Sequence, residues 1–212
     1  ISAPWSVLAG DRMSSGIPTL EEWVQMAQPH FDFLVERGFH LVPVPADPAL
    51  EVWGPRMQYL SDSVGVRLHC SIEFDRVEAS IIRLVDARVP PYPIFMRDDD
   101  EIYWFHLDGL LNLCEPGRGA RSAELKGLDE GSLRRQLAFV ADALGEFADE
   151  LLDAASSTLR LRQQELHELV RAHPPIIRIH VPVGASADEV AQGIAKAKES
   201  SPGIDVEVDR YV

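Results

Sequence analysis

Twelve residues, VGVRLHCSIEFD at 64 to 75, alternate between apolar and polar without a slip. Val64, Val66, Leu68, Cys70, Ile72 and Phe74 fall on one side, and Gly65, Arg67, His69, Ser71, Glu73 and Asp75 on the other. Successive side chains of a strand point to opposite faces, so this run specifies a strand with one dry face. Residues 77–85 read as its antiparallel neighbour, reached through a tight connection at Asp75 and Arg76. The alternation changes phase at Ile81 and Ile82, which predicts a bulge. Residues 52–60 predict an edge strand. IYWFHL, 102–107, predicts another strand or the start of a short helix ending near Cys114.

Helical spacing fills much of the remaining chain. Residues 18–37 read as helix, opened by Pro18 and Thr19, with Glu21 and Glu22 where acids favour the N-terminal dipole. Pro29 kinks it or starts a second helix, and Gly38 is placed for a C-terminal cap. Residues 129–153 carry the strongest helical stripe, with Leu133, Leu137, Val140, Leu144, Ala148 and Leu151 on one face. Residues 157–172 read as a further helix, ended by Pro174 and Pro175. IIRIHVPV, 176–183, is a strand. Ser186 and Glu189 fit a capping box before the next helix, and IDVEV after Gly203 closes a β-α-β tail. Residues 41–55, 89–93 and PGRGARS, 116–122, read as extended chain or loop, the last as a flexible loop. The expected fold is α+β, an antiparallel sheet packed against amphipathic helices with a C-terminal β-α-β appendage. Residues 1–17 form an N-terminal extension, 18–173 the main domain, and 174–212 a tail docked on that domain or on a partner chain.

The 212 residues are 46% hydrophobic and 25% charged, enough for one sizeable core. No apolar run approaches the roughly 20 residues that cross a bilayer, and the opening residues do not read as a signal peptide. Two cysteines make no disulfide scaffold, so a cytoplasmic protein is the expectation. The formal net charge of −14 argues against nucleic acid and against an anionic membrane surface. It suits a basic protein partner, and it also serves solubility.

Motifs for catalysis fail on spacing. His69 and Cys70 are adjacent, so a strand sends them to opposite faces. His69 and Glu73 share a face but lie roughly 13 Å apart along a strand, too far to share a metal. HELVR, 167–171, lacks the second histidine of HExxH, because Arg171 stands there. GRG at 117–119 lacks the third glycine of a dinucleotide loop, since Ser122 occupies that place. DDDE, 98–101, lacks the spaced ligands of a calcium loop. No catalytic residue, metal site or cofactor is assigned. Arg67 and His69, with Arg118 and Arg121, line a pocket for an anion if the polar strand face is covered; otherwise the strand face is wet and 116–122 is a mobile loop.

The helix ending FDFLVERGF, Tyr59, the VGVRLHCSIEFDRVEASI hairpin, YWFHLDGLL and the late helix LRRQLAFVADALGEFADELLDAA together resemble a loosely defined group of small α+β bacterial proteins. That group is common in actinobacteria and includes uncharacterised and immunity-type members. The resemblance spans about residues 20–155 and carries no catalytic residues; it implies a domain that works by binding. The leading expectation is a non-enzymatic protein of the immunity or antitoxin kind. It would meet a basic partner through Asp98, Asp99, Asp100 and Glu101 and through Asp142, Glu146, Asp149 and Glu150. The alternatives are a small-molecule or anion-binding sensor or hydrolase using the pocket near 64–75, and an assembly module whose β-α-β tail builds a homodimer.

Overall fold

The computed structural model describes residues 17–42, 44, 54–93, 96, 100–115, 117–174, 176–182, 184–200 and 204–211. These fall into two compact units. One comprises the described residues of Ile1–Tyr92 and Ile102–Arg162, the other those of Pro93–Glu101 and Gln163–Val212. The division falls inside a helix that the sequence reading placed wholly in the main domain, ahead of its boundary at 173.

The first unit is built on a five-stranded antiparallel sheet in chain order: β1 His40–Val42, β2 Arg56–Leu60, β3 Val64–Ser71, β4 Arg76–Arg83 and β5 Trp104–His106. The α+β architecture expected from the sequence is what folds. β2 lies between β1 and β3 and is therefore not the edge strand expected at 52–60; residues 51–53 lie outside the described set. The strand at 64 ends at Ser71, and residues 72–75 form the turn, with Asp75 at φ 55°. Phe74 therefore leaves the dry face and stands exposed.

The bulge expected at Ile81–Ile82 is absent, since β3 and β4 pair without interruption from Val64–Arg83 to Ser71–Arg76. Both isoleucines are fully buried because the sheet is apolar on both faces at that level. Ile81 joins the dry face. Ile82 sits between Gly65 and Trp104 in the cross-strand row. Gly65 leaves room there: a Cβ on it would lie 2.8 Å from the Leu60 side chain.

Helices cover the dry face. α1 Leu20–Ala27 opens on a capping box in which Glu22 N–H donates to Thr19 Oγ1 and Thr19 N–H to the Glu22 carboxylate. A 3-10 turn at Gln28–His30 and α2 Asp32–Glu36 follow, so Pro29 starts a new element. Gly38 at φ 86° closes α2, with Phe39 N–H reaching back to the Leu34 carbonyl. α3 Leu107–Cys114 follows β5 directly, so 102–114 is strand and then helix.

The loop expected at 116–122 is largely helix, α4 Arg118–Glu124, entered through Gly117 at φ 93°. α5 Glu130–Glu146 is capped by Asp129, which accepts from Ser132 N–H. The long helix expected over 129–153 breaks at Phe147 and resumes as α6 Ala148–Leu151. Leu133, Leu137, Val140 and Leu144 on α5 and Leu107, Leu110 and Leu111 on α3 are buried with Trp23, Phe31 and Leu34 above Val66, Leu68 and Ile81. Burying a side chain of that size is worth about 1.5–3 kcal/mol, and this face is the core.

α7 Ser157–Ala172 begins in the first unit and ends in the second. The second unit also holds β6 Ile176–Pro182, α8 Ala187–Ser200 and β7 Asp205–Tyr211, with β6 and β7 parallel. Ser186 and Glu189 form the expected capping box at the start of α8.

Candidate functional site

The face of the sheet turned away from the helices is polar, and antiparallel register arranges it in rows. Val42, Gln58, Arg67, Ser80 and His106 form one row across all five strands. Arg56, His69 and Glu78 form the next, and Ser71 faces Arg76 beyond it. The face is only partly wet. Gln58 is 5% exposed, Trp104 is buried, and Arg67, His69, Ser80 and Glu78 are half-buried.

The second row ends in a chain of ion pairs. His69 Nδ1 lies 3.6 Å from Glu78, Arg76 Nη2 3.3 Å from Glu78, and Arg76 Nη1 3.0 Å from Asp108 at the start of α3. Burial alone would raise the Glu78 pKa, but its bonds to His69 and Arg76 outweigh that and hold the carboxyl below its usual range. His69 therefore meets a carboxylate across the strands; Glu73, the partner considered along the strand, stands exposed in the 72–75 turn.

Arg67 is built differently. Its Nε and Nη2 both donate to the single oxygen Oε1 of Gln58, at 3.0 and 2.7 Å. Its Cζ lies 4.3 Å from the centroid of the Trp104 ring. That ring is fixed by its own N–H, which donates to the Pro90 and Pro91 carbonyls at 3.1 and 3.2 Å. Tyr92 meets it edge-on at 5.2 Å and shares a 3.2 Å hydrogen bond with His106 Nε2. Burial, reinforced by the neighbouring Arg56 charge, pulls the Arg67 pKa down to about 10. Of the pocket residues read from the sequence, Arg67 and His69 thus belong to this face. Gln58, Trp104 and His106 complete it through cross-strand register, and Tyr92 joins from the loop before β5 by packing on Trp104 and bonding His106; none was singled out, because local spacing does not bring them together.

Arg118 and Arg121 belong elsewhere. Arg118 is 7% exposed; its Nη1 donates to Glu146 at 2.6 Å and to Glu115 at 3.3 Å, and its Nη2 to Asp142 at 2.7 Å. Phe139 and Phe147 flank it. The bond to Glu146, first of these, raises its pKa above the ordinary arginine value. Arg121 lies 3.7 Å from Glu115. The two arginines read as anion-gripping members of a mobile loop are thus held on a helix by carboxylates of the same chain.

The acidic residues named for partner binding are correspondingly engaged. Asp142 and Glu146 hold Arg118, Asp149 lies 3.2 Å from Arg37, and the Glu150 carboxyl helps to raise the Cys114 pKa. They remain outward: the side chains of Asp142, Glu146 and Asp149 are 73%, 54% and 95% exposed. Asp98 and Asp99 lie outside the described residues; Asp100 is half-buried, with its carbonyl accepting from His167 Nε2 at 2.7 Å, and Glu101 is exposed.

Neither thiol is poised to react. Burial pushes Cys70 up to about 12, with the Asp75 charge adding to it. Burial and the Glu150 carboxyl push Cys114 up to about 11. Among the described residues no three His, Cys, Asp or Glu side chains gather as metal ligands, and no helix is long and apolar enough to cross a membrane. A groove of about 800 Å³ runs between the starts of α1 and α5, lined by Ile17, Pro18, Glu22, Met26, Leu128 and Leu133 among others.

No protein-family model matches the chain, and neither a curated protein nor a solved structure matches it.

Proposed function

We propose that the chain is a non-enzymatic binding protein, of the immunity or antitoxin kind, whose acidic exterior engages a basic protein partner. The observation that carries this reading is the outward stripe at the end of α5 and on α6. Asp142, Glu146 and Asp149 keep most of their surface in solvent although each already touches an arginine. Their intramolecular partners hold the carboxylates in place before any encounter, which lowers the ordering cost of an association. A chain of net charge −14 steers a basic partner toward itself, and rate and specificity gain most from such steering.

Paired capture from a lysate of the native host tests the reading. The wild-type chain retains a basic protein at one-to-one stoichiometry at low ionic strength and releases it as salt rises. An Asp149→Lys chain binds that protein at least about tenfold more weakly, with an unchanged melting temperature, because an exposed ion pair stabilises the fold by only about 0–1 kcal/mol. Charge reversal at Asp98, Asp99 and Asp100 does the same if 98–101 belongs to the surface. Unchanged affinity in both variants contradicts the placement.

A further inference from the structure

A guanidinium carries five N–H donors. In Arg67, Nε and one N–H of Nη2 are spent on one Gln58 oxygen. The remaining donors lie on the Nη1 and Nη2 end of the fork, and they have no acceptor among the described residues. Three other partly or fully buried cations have carboxylates: Arg76 has two, Arg118 has three, and His69 has Glu78. Arg56, in the adjacent cross-strand row, adds a second positive charge beside Arg67. Burying a charge without an opposite charge is costly. Here the side chain is nonetheless fixed, by a neutral amide at its side and an aromatic ring against its face.

We propose that the Nη1–Nη2 end of Arg67 is the binding site for one carboxylate or phosphate group of a small ligand. The end-on fork matches two oxygens of either group with two parallel hydrogen bonds. Ser80 stands next to Arg67 in the cross-strand row and offers a hydroxyl, and His106 beyond it is exposed, so the row opens to water at its β5 end. Tyr92, half exposed, stands edge-on to Trp104 there and supplies an aromatic wall for the ligand's organic part. The site takes a single charged group rather than a polyanion, because the rest of the chain repels extended negative charge. It is independent of the acidic stripe and survives failure of that reading.

The test is calorimetric titration of the full chain in chloride buffer with sodium benzoate and, separately, with inorganic phosphate. Saturable one-site binding of either probe supports the site; benzoate alone identifies a carboxylate ligand and phosphate alone a phosphate ligand. Arg67→Gln abolishes the heat, whereas Arg121→Gln, at an exposed arginine outside the site, leaves it unchanged. Should the glutamine variant not fold, Arg67→Lys decides: it keeps a charge without the fork and binds at least about tenfold more weakly. No saturable heat with either probe overturns the proposal, as does equal binding by wild type and both Arg67 variants.

Discussion

The two faces of one sheet solve opposite problems. Toward the helices, Met57, Tyr59, Val66, Leu68, Cys70, Ala79, Ile81 and Phe105 are buried, and their stabilisation comes from apolar area removed from water. On the other face, residues one step along the same strands are also partly withdrawn from water, but they are Gln58, Arg67, His69, Arg76 and Glu78. Polar groups gain little from burial, so that face is stable only where each charge finds a partner. It does so along His69, Glu78, Arg76 and Asp108 and not at Arg67. The comparison separates residues that hold the fold from a residue whose placement the fold alone does not account for.

Leu68→Ala is the heaviest blow to the dry face. Leu68 is fully buried at the centre of β3, and the substitution is expected to cost about 2–5 kcal/mol in a denaturant titration. A loss under about 1 kcal/mol would mean that this face is not the core. Arg118→Ala comes next: it strips a buried guanidinium from Glu115, Asp142 and Glu146 and is expected to cost about 1–3 kcal/mol and to loosen α4. Amide hydrogen exchange over 118–124 should rise with it; unchanged protection there would show that α4 stands without Arg118.

Glu78→Gln sharpens the contrast on the polar face. The folded-state pKa of Glu78 is lowered, so its contribution is present above the ordinary glutamate value of 4.5 and disappears as pH falls through the folded value. The variant should be less stable than wild type by about 1 kcal/mol at pH 7 and equal to it near the acid limit. A deficit that does not change with pH would contradict the ion-pair account. Cys70 reports the dry face in the opposite direction. Its raised pKa makes the neutral thiol the favoured folded form, so this contribution is complete below the ordinary value of 9 and is lost between pH 9 and about 12. At pH 8 its alkylation should proceed only as fast as the chain opens, and rapid labelling of the native protein would place the thiol outside the core.

Much of this was legible because the local pattern and the fold agree. The alternation at 64–71 is the strand β3, the helix at 157–172 has the predicted ends, and the Ser186–Glu189 box caps α8. Where the reading differed, the deciding contact is distant in sequence. PGRGARS looks like a loop, yet Arg118 is pinned to Asp142 and Glu146 one helix later, and a Cβ on Gly119 would run into the Asp108 carbonyl and the Asn112 side chain. The phase change at Ile81–Ile82 suggested an inserted residue, whereas a regular strand crosses a level that is apolar on both faces. The candidate site shows the same limit. Arg67 stood out by its place on a polar face, but Gln58 and Trp104 come from strands on either side, and nothing in their spacing announces the register that joins them.

The most direct measurement is the stability of the double variant Arg67→Met, Gln58→Leu against wild type in chloride buffer free of other anions. Methionine keeps the apolar stem against Trp104 and removes the charge. If Arg67 is held for a ligand and not for the fold, the double variant unfolds within about 1 kcal/mol of wild type, since the guanidinium and the buried Gln58 oxygen that accepts from it are removed together and neither is left unpaired. A loss of more than about 2 kcal/mol, approaching that of Leu68→Ala, would make Arg67 a structural residue and erase the distinction between the two faces.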